Sequence, residues 1–300
     1  MAQGAKSAPR LYDRAAAPRT MGKLQEGRAR RYPRGYNGEA DARLGRSGVG
    51  PRGSERHAMT RYLIVDALIF DADDTLWENN IYFQRAIEEF LQLVSPFAAD
   101  HREVRRVLRQ VEREHIPQRG YGSRNFIDSL HETFRRFHAS KDGQAYFRAI
   151  EQIGERLLQH PIELLPGVVA TLERLRPHHR LVLFTKGDRE EQCGKLDRSG
   201  LRPFFERVEV VGEKDAAAYE ELIGRHGIRR ECSAMVGNSP RSDVLPALAA
   251  GLWAVFIPHP HTWDMEEEEV EPHERLLVTQ SFSDLPSVLS KVRIESISAG

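Results

Sequence analysis

From Thr60 onward the chain reads as short apolar runs parted by helical patterns, and that alternation leaves few architectures open. ALIFD (67–71), RLVLFT (180–185), RVEVVG (207–212), CSAMVGN (232–238) and LWAVFIP (252–258) have the length and composition of buried strands, and LLVTQ (276–280) reads as a last one. Between the later runs lie the helical patterns VVATLERLR, AAAYEELIGRHG and DVLPALAAG. Strands alternating with helices predict an α/β fold whose parallel sheet is covered on both faces. Such sheets bind ligands at the carboxyl ends of their strands.

One interval breaks the alternation. Residues 77–160 carry no strand signal, only the helical stretches FQRAIEEFLQLV, HREVRRVLRQVEREH, FIDSLHETFRRFH and QAYFRAIEQIGERLLQ. PQRGYGSRN (117–125), with Pro and two glycines, is expected to interrupt them. The pattern predicts an all-helical lobe of about 80 residues inserted after the first strand, over the ligand end of a core made of 59–76 and 161–300.

Polar residues collect at the strand ends. The first run ends in FDADDT, with Asp71, Asp73 and Asp74 inside four positions, and several carboxylates held together repel one another unless a cation or a reaction needs them. The second run ends in Thr185, Lys186 and Gly187; Glu213 and Lys214 follow the third, and Asn238, Ser239 and Asp243 the fourth. A parallel sheet brings all four groups to one edge. There Asp71 is placed to attack phosphorus, splitting hydrolysis into formation and breakdown of an aspartyl-phosphate. Asp73 can protonate the leaving oxygen and then activate water. Two carboxylates would repel a phosphate dianion, so a hard cation such as Mg²⁺ is required. Thr185 and Lys214 suit the phosphoryl oxygens and the charge that accumulates on them, with Lys186 beside them. Asp74 is assigned to supporting the turn.

The ordered set DxDxT (Asp71, Asp73, Thr75), Thr185, Lys214 and GNSPRSD (237–243) resembles the four motifs of the haloacid dehalogenase-like superfamily, over nearly all of residues 62–290. The resemblance implies a Rossmann-like core and identifies the helical insertion with a C1-type cap; the short gap from Thr185 to Lys214 leaves no room for the alternative cap. It also implies Asp71 as nucleophile and metal ligand, and Asp73 as acid and base with its main-chain carbonyl on the metal. One position departs from the pattern. Where the superfamily most often has a metal-binding Asp after the motif glycine, this chain has Asn238, which predicts weaker Mg²⁺ binding with Asp243 carrying more of the site.

Asp73 argues against dehalogenation, since halide leaves without protonation. Phosphonate chemistry would need a cap lysine, and the insertion holds only Lys141, in a polar turn. The expected reaction is hydrolysis of small phosphate monoesters; a phosphomutase and a non-catalytic phospho-ligand or partner-binding module are the alternatives. Substrate contacts are expected from Arg119, Tyr121 and Arg124 in the interrupting loop. His259, His261 and Trp263 fall on a loop after the fifth strand, with no third metal ligand apparent, and Glu266 to Glu269 read as solvated surface. A homodimer joined through the cap is compatible with the sequence.

The chain's zero net charge hides an asymmetry: residues 1–58 hold 13 Lys and Arg against 5 Asp and Glu, without helical or strand periodicity. That stretch is expected to be disordered, with Met59 a candidate natural start; an Arg-rich targeting segment and a polyanion-binding tail are the other readings. Nucleic acid is nonetheless not the expected partner. No apolar run reaches the length of a membrane span, and the two cysteines, Cys193 and Cys232, have no metal or disulfide spacing, so the cytoplasm is the expected compartment.

Overall fold

The computed structural model describes residues 65–138 and 143–290. The basic stretch 1–58, Met59 and Lys141 lie outside them. Six strands, β1 (Ala67–Phe70), β2 (Arg180–Lys186), β3 (Arg207–Val211), β4 (Ser233–Gly237), β5 (Trp253–Phe256) and β6 (Leu276–Val278), form one sheet in the order β3-β2-β1-β4-β5-β6, every pair parallel. Each run read as a strand is one. Asp71 and Asn238, at the carboxyl ends of two of those runs, leave the ladder and turn toward the crevice described below.

Period-two burial explains the layers. Leu68, Phe70, Leu181, Leu183, Ala234 and Val236 pack on one face against α5 (Val168–Leu175), α6 (Arg189–Ser199) and α9 (Leu285–Leu289). Their neighbours Ala67, Ile69, Val182, Phe184 and Met235 pack on the other against α7 (Ala216–His226) and α8 (Leu245–Ala249). All four β1 residues are fully buried, as a central strand covered on both faces requires. The strand order reverses direction between β1 and β4. A crevice opens at that point of a doubly wound sheet, outside the strands' carboxyl ends.

Four helices, α1 (Asn80–Val94), α2 (His101–Arg119), α3 (Ser123–Phe137) and α4 (Gln144–Leu158), follow β1 and enclose an apolar core of their own, with Phe90, Leu108, Leu130, Phe134 and Ile150 at its centre. The chain leaves the sheet and returns to it side by side: Glu78 N donates to Glu163 O and Leu165 N to Leu76 O, each at 2.9 Å, with the fully buried Trp77 between. The interruption expected over 117–125 is narrower than that. α2 runs through Pro117 to Arg119 and α3 starts at Ser123. Proline near a helix end forfeits one hydrogen bond, whereas Gly120 and Gly122, at φ of 77° and 122°, take up the turn that other residues resist.

Candidate active site

Asp71 is the first residue past β1, its N–H still donating to Val236 O at 3.0 Å. The ladder therefore fixes its backbone while its side chain faces the crevice. Asp71 Oδ1 lies 2.5 Å from Lys214 Nζ, and Oδ2 accepts from Thr75 Oγ1 at 3.1 Å. The same Thr75 hydroxyl lies 3.0 Å from Asn238 Oδ1, so the first and fourth strand ends meet on one side chain. Asn238 Nδ2 in turn donates to Thr262 Oγ1 at 3.1 Å.

Lys214 is buried and reaches Asp243 Oδ1 at 2.5 Å as well as Asp71. A five-residue π-type turn, Pro240–Val244, carries Asp243 back under β4, where its Oδ2 accepts from Ser239 N at 2.9 Å. The carboxylate occupies the space a side chain on Gly237 would need: a Cβ there would stand 2.2 Å from Asp243 Oδ2. Burial first, and then the charge of Asp243, push the Asp71 carboxyl up to about 7 against the pull of Lys214. Burial raises Asp243 too, opposed by Lys214. For Lys214 burial works downward, but the charges of Asp243 and Asp71 outweigh it and hold the ammonium above its ordinary value.

Asp73 faces a different set of groups. Its carboxylate accepts from Trp77 Nε1 at 2.8 Å, from Lys195 Nζ at 2.9 and 3.1 Å, and from Gln192 Nε2 at 3.2 Å. Gln192 also donates to Thr185 Oγ1 at 2.7 Å, which leaves the Thr185 hydroxyl proton available to another acceptor. Asp74 behaves as expected of a turn-supporting residue: at φ 60° it accepts from Asn79 N at 2.8 Å and Asn80 N at 3.0 Å, capping α1.

Asp71, Asp73, Thr185, Lys186, Lys214, Asn238, Asp243 and Tyr121 all line one cavity of about 180 Å³ between the sheet edge and the helices. Arg119 does not. It is exposed, pairs with Asp128 at 2.9 Å and borders a separate surface hollow. Arg124 is exposed too, 3.8 Å from Glu190. Tyr121 donates to Glu213 Oε2 at 2.6 Å and lays its ring over Lys186 Nζ, 4.3 Å from the centroid. Lys186 itself is held by Ser242 Oγ at 2.9 Å and by Glu266.

Glu266 corrects an expectation. It is buried, not solvated, and takes the hydroxyls of Ser239 and Ser242 together with Lys186. Lys195 and Gln192 had no expectation attached to them. A signal was present in α6, where they fall at i and i+3 on the face that also carries Leu196, so polar side chains stand where the helix turns inward.

The centre offers oxygen donors only, from Asp71, Asn238, Asp243 and the main chain. It also places two buried carboxylates on one ammonium, with Asp71 driven toward protonation. Both facts fit a hard divalent cation of the Mg²⁺ type. Asp243, with its oxygens turned to Lys214 and Ser239 N, fits a supporting place better than a direct ligand. Among the described residues a second group of metal-type side chains is Asp74, Glu78 and His259, whose ligand atoms lie within 4.8 Å of one another. It differs from the His259 and His261 pair, and contacts within the protein already engage its ring: His259 Nδ1 accepts from His261 N at 3.3 Å, and Nε2 lies at ion-pair distance, 3.4 Å, from Glu78 Oε2.

The family description haloacid dehalogenase-like hydrolase matches residues 65–251. A glyceraldehyde 3-phosphate phosphatase of Methanothermobacter thermautotrophicus is 26% identical over 236 residues, 75% of this chain and 100% of that one. Human N-acylneuraminate-9-phosphatase is 30% identical over 141 residues, 45% of this chain and 55% of its own. Among solved structures, a haloacid dehalogenase-like family hydrolase from Xanthomonas campestris superposes with a TM-score of 0.67 at 32% identity, covering 75% of this chain and 90% of that one.

Proposed function

Because the chain belongs to the haloacid dehalogenase-like hydrolases, we propose that it is a Mg²⁺-dependent phosphatase of small-molecule phosphate monoesters, acting through a phosphoryl group carried on Asp71. The observation that carries this reading is Asp71 itself, a buried carboxylate fixed at the end of the central strand, with Lys214 and Thr75 on its two oxygens and Thr185 beside it in one cavity. Similarity to chains named as phosphatases supports the same reaction class.

In this reading the Thr185 hydroxyl and the Lys214 ammonium hold the phosphoryl oxygens. An Asp71 oxygen attacks phosphorus in line with the leaving oxygen, whose bond breaks as Asp73 gives it a proton. Water then attacks the phosphoryl group, the Asp71 oxygen–phosphorus bond breaks, and the water proton returns to Asp73. The three donors around Asp73 set its direction, and the Lys195 pair has to loosen for it to carry a proton. Lys214 supplies positive charge where it accumulates on the transferring group, the usual largest source of rate. Mg²⁺, held by Asp71, the Asp73 carbonyl and Asn238 with Asp243 behind them, would neutralise the charge that keeps a phosphate dianion from these carboxylates. The helices α1–α4 serve as a cap over the cavity.

Phosphate release from a panel of monoesters with Mg²⁺, in the natural chain, Asp71→Asn and Asn238→Asp, tests the proposal. Turnover by the natural chain that Asp71→Asn abolishes, with a lower Mg²⁺ requirement in Asn238→Asp, is the expected result. No hydrolysis at high Mg²⁺, with activity gained in Asn238→Asp, would instead make the natural protein a phospho-ligand binder on a phosphatase scaffold.

A further inference from the structure

The wall of the cavity opposite Asp71 is built by α1, α2 and α3, and most of it is apolar. Phe83, Ile87, Ile116 and Phe126 line it, the two phenylalanine rings edge to face at 5.1 Å. Polar side chains interrupt this surface, Asn80 and Gln84 from α1, Glu112 from α2, and Asn125 and Ser129 from α3. Asn125 donates through Nδ2 to Gly120 O at 2.5 Å, which fixes the orientation of the amide and leaves Oδ1 buried without a hydrogen-bond partner. Glu112 lines the same wall and makes no hydrogen bond or ion pair with the described residues, and burial pushes its carboxyl up to about 7.

Asn125 Oδ1 is an acceptor, and so is the Glu112 carboxylate above about pH 7. Ser129, which also borders the cavity, has its hydroxyl committed to Asn125 O at 2.9 Å. The cations lining the cavity are Lys186, Lys195 and Lys214, all at the phosphate end and each paired with carboxylates. A ligand that fills this space is therefore asked for donors by Glu112 and Asn125; no cation lines this wall, where the Gln84 amide is the other polar group, and the charge of Arg109 reaches Glu112 only from outside the lining.

We propose that the leaving group of the ester is neutral or cationic, with an apolar face and hydroxyl or amino donors for Glu112 and Asn125, and that Glu112 is a specificity-determining residue that excludes carboxylated esters. The inference rests on the phosphatase reading of the same cavity. A carboxylate brought against Glu112 in a site with little water meets like charge, or one of the pair must take up a proton. A hydroxyl in the same place gives Glu112 the donor it lacks.

Glycerol 3-phosphate and 3-phosphoglycerate make a matched pair, differing at the far end only by hydroxymethyl against carboxylate. With the full chain, Mg²⁺ and pH 8, kcat/KM for glycerol 3-phosphate is expected to exceed that for 3-phosphoglycerate by at least about tenfold, and Glu112→Gln should narrow that ratio. A second arm reads binding without turnover, as the rise in melting temperature that each ester gives Asp71→Asn. Hydrolysis of p-nitrophenyl phosphate separates the two questions. If the chain turns it over but treats the pair alike, or prefers the carboxylate, or Glu112→Gln leaves the ratio unchanged, the specificity inference is wrong and the phosphatase reading stands. If no ester is hydrolysed but glycerol 3-phosphate alone stabilises Asp71→Asn, the hydrolytic reading fails and the recognition inference survives. No response to glycerol 3-phosphate in either arm overturns the inference.

Discussion

Lys214 is the residue on which the centre depends, since two buried carboxylates share its ammonium. Replacing it with Met should abolish turnover and cost about 3–5 kcal/mol at pH 8, because Asp71 and Asp243 are then buried unpaired. The loss should shrink at pH 5, where those carboxyls take up protons, and urea unfolding at the two pH values measures it. Glu112 predicts the opposite sign. Its carboxyl is raised from an ordinary 4.5 to about 7 by burial, so the fold favours the protonated form. That contribution is complete below about pH 4.5 and is lost as pH rises through 7. Glu112→Gln should therefore stabilise by about 1–2 kcal/mol at pH 8, a few degrees in melting temperature, and by nothing at pH 4. The gathering of Asp71, Asp73, Thr185, Lys214 and Asn238 at one sheet edge was legible because each lies at the end of a strand or follows one within three residues. Lys195 and Glu266 were not, because a lone lysine and the first of four glutamates are solvated far more often than buried. Arg119 marks the opposite case: its type suited contact with an anionic leaving group, and only the path of α2 turns it away from the cavity.

At the level of elements, strands and helices follow from periodicity, and what escapes the sequence is how closely they approach. Gly154 shows this. A Cβ there would fall 2.4 Å from Ile127 Cδ1, so α3 and α4 are as close as they are because position 154 has no side chain. Gly154→Ala gains about 1 kcal/mol of helix propensity and meets about 1–3 kcal/mol of overpacking, leaving a net loss of about 1 kcal/mol. Adding Ile127→Val removes Cδ1 but keeps Cγ1, which would stand 2.6 Å from that Cβ, so it should recover only part of the lost stability. Urea midpoints of the three proteins decide it, and a double variant no better than Gly154→Ala would show that the clash relaxes elsewhere. The π-type turn at Pro240–Val244 was likewise invisible: the sequence read that stretch as a motif and a helix start, whereas an extra residue in the turn is what aims Asp243 at Lys214.

Across the whole molecule the helices meet the sheet edge through polar contacts. Ser123 donates through N and Oγ to Glu191, both at 2.8 Å, Tyr121 donates to Glu213, and Arg109 pairs with Asp264 at 3.3 Å. Polar seams of this kind permit relative motion. Glu191→Ala should speed amide exchange over residues 121–125 and lower the melting temperature by about 4 °C or more, since the buried Ser123 loses the acceptor of both its N–H and its hydroxyl. The inserted lobe was legible as an interval without strands; the side-by-side crossings at Trp77 and Leu164 were not, because pairing of two or three residues leaves no periodic trace. The position of β1 has a further consequence, in the order of synthesis. Ala67 pairs with Arg180 on one side and Ser233 on the other, so the strand leaves the ribosome about 166 residues before its second neighbour, a wait of about ten to thirty seconds at ordinary elongation rates. The helices translated meanwhile can collapse on local contacts, but β1 cannot be covered on both sides. Its apolar residues are followed at once by Asp71, Asp73 and Asp74. While the nascent chain waits, those three charges would disfavour stacking with the same strand of a neighbouring nascent chain, so carboxylates that line the cavity of the folded protein would first act as guards against aggregation.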